Sequence, residues 1–139
     1  MLPWSPLGGG WLSGKYRRDQ RPSGDTRLGD DPNRGMEAYD RRGTERTWRI
    51  IDAVQGVAEA RGVSMAEVAI AWLTDRPGVG STILGARTTE QLAANLKAAD
   101  LHLTAEETAA LDEASDPGVA DYPYGKMGVE QRSRDLAGR

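Results

Sequence analysis

The stretch Ile83-Leu84-Gly85-Ala86-Arg87-Thr88-Thr89-Glu90-Gln91-Leu92-Ala93-Ala94-Asn95-Leu96 decides how the rest of the chain is read. Residues 79–84, with Val79, Thr82 and Ile83, predict a short strand. Gly85 lets another group approach closely, and Thr88-x-x-Gln91 is a capping-box pattern that opens a helix. A strand that ends in glycine before a helix start is a ready anion site, because the first turn carries free N–H donors and partial positive charge. Arg87 adds a planar fork of donors suited to phosphate. Gln91 and Asn95 stand at i and i+4, away from Leu92 and Leu96, so their amides can face one ligand. Each has a plainer reading as well: Gln91 as the cap, Asn95 as a solvated helix position and Arg87 as a surface charge.

Upstream and downstream of this stretch the pattern is helical. Trp48, Ile51, Val54, Val57, Ala58 and Arg61 recur at three and four, and Gly62 stops that helix. Ser64-x-x-Glu67 caps a second, with Met65, Val68, Ala69, Trp72 and Leu73 as its stripe and Pro77-Gly78 as its end. The helix after Thr88 carries Leu92, Leu96 and Ala99. Thr104-x-x-Glu107 caps a last helix with Thr108, Leu111 and Ala114, and an irregular tail follows over 116–139.

At the other end, residues 1–7 predict a short strand or extended segment, kept from the centre of an antiparallel sheet by Pro3 and Pro6. A glycine-rich loop follows over 8–15. Gly9-x-x-x-x-Gly14-Lys15 matches most of a phosphate-binding P-loop, but Tyr16 stands where Ser or Thr must hold Mg²⁺. A nucleotide hydrolase would rest on that partial match alone. Over 16–43, thirteen of 28 positions are Asp, Glu or Arg and no apolar period is visible, as in long functional lids or disordered segments. The order is strand, glycine loop, long loop, two helices, strand, two helices, tail. Strands joined by helical crossovers imply a parallel α/β arrangement. Two parallel strands alone make no stable sheet.

Composition narrows the chemistry. The 139 residues balance 18 Lys+Arg against 21 Asp+Glu, a net charge of −3, so no overall field draws the chain to nucleic acid or anionic lipid. There is no Cys and one His, which leaves no thiolate chemistry and no histidine metal cluster. No run approaches a membrane span and no secretion signal is apparent, so the cytoplasm is the expected location. With no Phe, the core falls to Ala, Val, Ile, Leu and the four Trp. Trp48 and Trp72 sit on helix stripes, whereas Trp11 reads as a cofactor or substrate wall, or a surface plug. His102 reads as a partly exposed linker residue. Of Glu106-Glu107 and Asp112-Glu113, Glu107 belongs to a cap and the others to a solvated face, since helical neighbours point about 100° apart.

Four segments carry a resemblance: Leu2-Pro-Trp-Ser-Pro-Leu-Gly-Gly-Gly-Trp-Leu-Ser-Gly-Lys-Tyr16; Val68-Ala-Ile-Ala-Trp-Leu73; residues 83–96 as quoted; and Leu101-His-Leu-Thr-Ala-Glu-Glu followed by Leu111-Asp-Glu-Ala-Ser115. In that order they resemble the C-terminal half of an aldo-keto reductase, from Leu2 to about Ser115. The resemblance implies part of a (β/α)8 TIM barrel, with residues 2–7 as strand seven and 79–85 as strand eight, incomplete as a barrel. The phosphate site of such barrels lies after those strands. By resemblance, Trp4 stacks on the nicotinamide ring, and Ser5, Leu7, Gly9 and Lys15 line the pyrophosphate. Gly85 belongs to the same cofactor-binding set, Arg87 meets the adenosine 2′-phosphate, which favours NADP(H), and Gln91 and Asn95 face the adenosine. The 16–43 loop and the tail lie over the mouth.

The family's catalytic Asp, Tyr, Lys and His come from the first half of the barrel, and no catalytic residue is assigned here. The expected function is that of a truncated, NADP(H)-binding half of an oxidoreductase that reduces aldehydes and ketones, binding weakly and lacking catalysis alone. The alternative is a non-enzymatic module that self-associates or pairs with a complementary half-barrel.

Overall fold

A computed structural model describes residues 1–24, 26–118, 125 and 126. Its body is helical: α1 (Tyr39–Arg42), α2 (Glu45–Arg61), α3 (Met65–Thr74), α4 (Thr89–Leu96) and α5 (Ala105–Ser115). Short 3₁₀ segments occupy Gly8–Ser13, Gly35–Glu37 and Lys97–Asp100.

The helix boundaries follow local chemistry. Thr44 caps α2 by accepting from the Thr47 N–H at 3.3 Å. At its other end Gly62 adopts a left-handed φ of 65°. The Val63 N–H then returns to the Ala58 carbonyl at 3.0 Å, the six-to-one bond of a Schellman ending. Ser64 and Thr104 both form reciprocal capping boxes with Glu67 and Glu107. Thr88 forms only half of one. It accepts from the Gln91 N–H at 3.2 Å, while the Gln91 side chain accepts instead from the Arg87 N–H at 3.0 Å. Pro77 and Gly78 (φ 83°) make the type II turn that leads out of α3, closed by the Val79 N–H on the Arg76 carbonyl at 3.0 Å.

Packing centres on α3, where Val68, Ala69, Ile70 and Ala71 are all buried. An apolar stripe is therefore too narrow a reading, since a helix covered on several sides buries consecutive residues. Val54 and Ala58 of α2, Val68 of α3 and Leu111 of α5 form one core cluster. A second joins Trp11, Tyr16, Leu28, Trp48 and Ile51. There Trp11 stacks on Tyr39 (5.6 Å, 17°) and meets Trp48 edge-on (5.5 Å, 66°). The 16–43 stretch is thus partly built into the core, with Leu28 only 1% exposed. Trp11 is no cofactor wall: it is buried, and its indole N–H donates to the Glu37 carbonyl at 2.8 Å. Asp112 corrects a second expectation. It accepts from the Trp72 indole at 2.8 Å and from Arg76 at 3.0 Å, and the Arg76 guanidinium lies 4.0 Å over the Trp72 ring. A residue read as solvated thus ties α3 to α5.

The strand over 79–84 does not form. Among the described residues the parallel pairing reduces to one bridge, Trp4 to Ile83. Gly80 N–H donates to Met1 O (2.9 Å) and Ile83 N–H to Pro3 O (2.8 Å). Two steps on one segment are opposed by three on the other, so an extra residue bulges out and the ladder cannot propagate. Among the described residues neither segment has another strand beside it to restore register. No helix among the described residues is long and apolar enough to cross a membrane.

Candidate functional site

The parallel course of residues 1–4 and 80–83 has a direct geometric consequence. Both segments point the same way, so the loops over 5–15 and 85–88 leave from the same end of the pair. Sequence positions eighty residues apart are thereby brought to one edge of the molecule.

Trp4 sits at the end of the first segment with its side chain 73% exposed. Ser5 follows with a left-handed φ of 55°, the only described non-glycine residue in that region. A residue before proline adopts it at a cost, because the proline ring crowds it. The Ser5 carbonyl accepts from the Gly8 N–H at 2.9 Å, and the Leu7 carbonyl from Gly10 (3.0 Å) and Leu12 (3.2 Å). These three N–H groups close the chain's own turns rather than facing outward, unlike those of a phosphate cradle. Gly9 and Gly10 have positive φ (72° and 100°). A side chain at Gly9 would collide with Glu37, and one at Gly10 would stand 3.3 Å from the Tyr16 hydroxyl. The glycines are thus required by the chain's own packing.

Tyr16 explains why the P-loop match fails in space as well as in sequence. Its side chain is buried, and its hydroxyl donates inward to the Gly9 carbonyl at 3.2 Å. Burial pushes this phenol up from its ordinary value of 10.0, against the weaker opposing pull of a backbone hydrogen bond at Leu28 and of the Arg27 and Arg87 charges. Lys15 is exposed beside the glycine loop.

On the second loop, Gly85 and Arg87 are exposed and Gln91 and Asn95 are half-buried. The Gln91 amide oxygen is committed to the Arg87 backbone, so this residue shapes the loop that presents Arg87. Leu92 and Leu96 do not enter the core; they are 41% and 54% exposed. His102 is well exposed, with Nδ1 3.8 Å from the Asp75 carboxylate. Groups of acidic and histidine side chains able to hold a metal are absent among the described residues. Tyr122 and Tyr124 of the tail lie outside the described residues. What sequence reasoning missed is the role of Tyr39 and Leu28, which carry no periodic signal, and the strain at Ser5, which only the backbone reveals.

The two loops and the helix that follows the second carry an open indole at Trp4, exposed cations at Lys15 and Arg87, and a half-buried amide at Asn95. The chain is also similar to known proteins over most of its length. The aldo/keto reductase family model matches residues 1–116. A probable voltage-gated potassium channel subunit beta of Oryza sativa is 36% identical over 105 residues, 73% of this chain and 30% of that protein. Protein Tas of Escherichia coli is 31% identical over 123 residues, 88% of this chain and 33% of its own length. L-glyceraldehyde 3-phosphate reductase, also of Escherichia coli, is 30% identical over 135 residues, 96% of this chain and 36% of that enzyme. The chain spans about a third of the length of these relatives. The fold that this family implies is a TIM barrel, and the chain belongs to the aldo/keto reductase family.

Proposed function

We propose that residues 1–116 form the NADP(H)-holding part of a carbonyl-reducing oxidoreductase, with residues 2–7 and 79–85 as the seventh and eighth strand positions of a barrel. The observation that carries this reading is the parallel run of residues 1–4 and 80–83, which sends both loops out at one end. Barrel phosphate sites lie at that position. Arg87 takes the adenosine 2′-phosphate through its guanidinium fork, Lys15 neutralises the pyrophosphate, and Trp4 offers its open ring to the nicotinamide. Gln91 holds the Arg87 loop in shape, and Asn95 faces the adenosine. Ser5, Leu7, Gly9 and Gly85 shape the backbone around the cofactor. The bound nicotinamide supplies the hydride. The Asp, Tyr, Lys and His set of the family is not assigned to residues of this chain, which binds the cofactor weakly and does not reduce carbonyls alone.

Two measurements test this. Fluorescence titration of the purified chain should show NADPH binding that Arg87→Ala weakens by about tenfold or more, with little loss for NADH. Equal loss for both cofactors would remove Arg87 from the 2′-phosphate. Mixing the chain with NADPH and a reactive aldehyde should leave the nicotinamide absorbance steady. Sustained turnover would show that catalysis needs no further segment.

A second reading, a self-associating or partner-binding module, is favoured by the open apolar side chains of Met1, Leu2, Trp4, Ile83, Leu92 and Leu96. The mass in solution decides it: a clean monomer that melts cooperatively would argue against association.

A further inference from the structure

The 8–10 turn is gripped from two sides by the chain itself. Tyr16 holds one side from the buried aromatic cluster, through its bond to the Gly9 carbonyl. Glu37 holds the other. Its β and δ carbons lie 2.9 and 3.2 Å from where a Gly9 side chain would begin, and its γ carbon is nearer still. The Glu37 carbonyl also receives the Trp11 indole. The two grips differ in kind. Tyr16 is anchored in the core, whereas Glu37 is partly buried and ends a three-residue 3₁₀ turn, Gly35–Glu37, whose middle residue, Met36, is 66% exposed. The Glu37 side chain belongs to neither core cluster.

We propose that Glu37 is a latch over the glycine turn, and that a pyrophosphate reaches this turn only by displacing it. The inference rests on the reading of this edge as the NADP(H) site. Its physical basis is independent of that reading: Glu37 fills the space beside the Gly9 Cα and carries a negative charge there. A carboxylate within a few ångström of a phosphate lowers affinity several-fold even in water-like surroundings. Without the latch, the apparent affinity no longer carries the cost of the closed population. Glu37 is thus an occluding residue of the free protein, and the weak binding expected of this chain is in part its own doing.

Titration of the full chain with NADPH, followed by nicotinamide fluorescence, tests the latch in four forms: unaltered, Glu37→Gln, Glu37→Ala and Glu113→Gln. Glu37→Gln keeps the packing and removes the charge; Glu37→Ala removes both. Glu113→Gln removes the same charge from the exposed side of α5. Circular dichroism melts establish that each variant is folded. The expected result is tighter binding by about three- to tenfold for Glu37→Gln, at least as much for Glu37→Ala, and no change for Glu113→Gln. If the unaltered chain binds and both Glu37 variants bind equally or more weakly, the latch is overturned and the cofactor reading stands. An equal gain in Glu113→Gln would also overturn it, by showing a general charge effect. Binding only after Glu37 is replaced would support the latch most directly. Absence of binding in all four forms would reject both the latch and the cofactor reading.

Discussion

The molecule has a closed side and an open side. On the closed side, α2, α3 and α5 bring Val54, Ala58, Val68 and Leu111 together, and Trp48 is sealed by Trp11, Tyr16 and Leu28. On the open side, residues 1–4, 80–83 and α4 leave Trp4, Ile83, Leu92 and Leu96 exposed, and α4 buries no residue. Both sides carry the same kinds of apolar residue. Partners distinguish them: an apolar face is stable as core only where the described chain supplies something to cover it. The proposed cofactor site is on the open side, where Trp4 is exposed and Lys15 and Arg87 stand on the two loops.

The contrast is most open to breaking through the tryptophans. Trp48→Ala should cost about 3–5 kcal/mol in urea denaturation, because it empties a filled aromatic core. Trp4→Ala should cost less than about 0.5 kcal/mol, as replacements of exposed side chains generally do, while weakening NADPH binding. Comparable losses of stability in the two variants would mean that the open side is covered in solution, and dependence of Trp4→Ala stability on protein concentration would identify association as the cover.

Helix caps sharpen the comparison further. Ser64→Ala removes a complete capping box on the central helix and should cost about 1 kcal/mol. Thr88→Ala removes half of one from a helix with no buried residue, and should cost under about 0.5 kcal/mol in global stability, because α4 can fray without unfolding the core. Amide exchange over 89–96 should nonetheless accelerate. A global loss as large as that of Ser64→Ala would place α4 within the cooperative unit.

The smallest expected effect is a pH dependence on the closed side. Arg61, followed by the Thr104 N–H, holds the Glu107 carboxylate down to about 2 from its ordinary 4.5. The lowered value in the folded state means that this contribution is fully present above about 4.5 and is lost as pH falls through about 2. Thermal melts at pH 7, 4 and 2.5 should show the unaltered chain and Glu107→Gln converging as the pH drops. A constant difference between them would show that the carboxylate charge is not what joins α2 to the start of α5.

Much of the closed side was legible in the residues. Thr44, Ser64, Thr88 and Thr104 mark the helix starts because capping depends on a few consecutive positions. Gly62 marks an end because a left-handed residue without a Cβ is cheap there. The proposed cofactor site rests on two glycine-bearing loops, each after an apolar run. Three features were not legible. Leu28 and Tyr39 sit in a stretch dominated by charge, and their burial depends on Trp11 and Trp48 arriving from elsewhere. Asp112 looks solvated along its own helix until Trp72 and Arg76 meet it from another. The 79–84 run has strand-forming residues but obtains only one bridge, since a ladder depends on register with its neighbour.

The sequence by itself determined the helix boundaries, the two loops and the residue types suited to an anionic cofactor, because these arise from interactions within one turn or from side-chain chemistry. The tertiary structure alone decided which apolar residues become core, which glycines are filled by neighbours, and that Glu37 packs against the glycine turn. Those outcomes depend on contacts between residues far apart in the chain, and no local pattern records them.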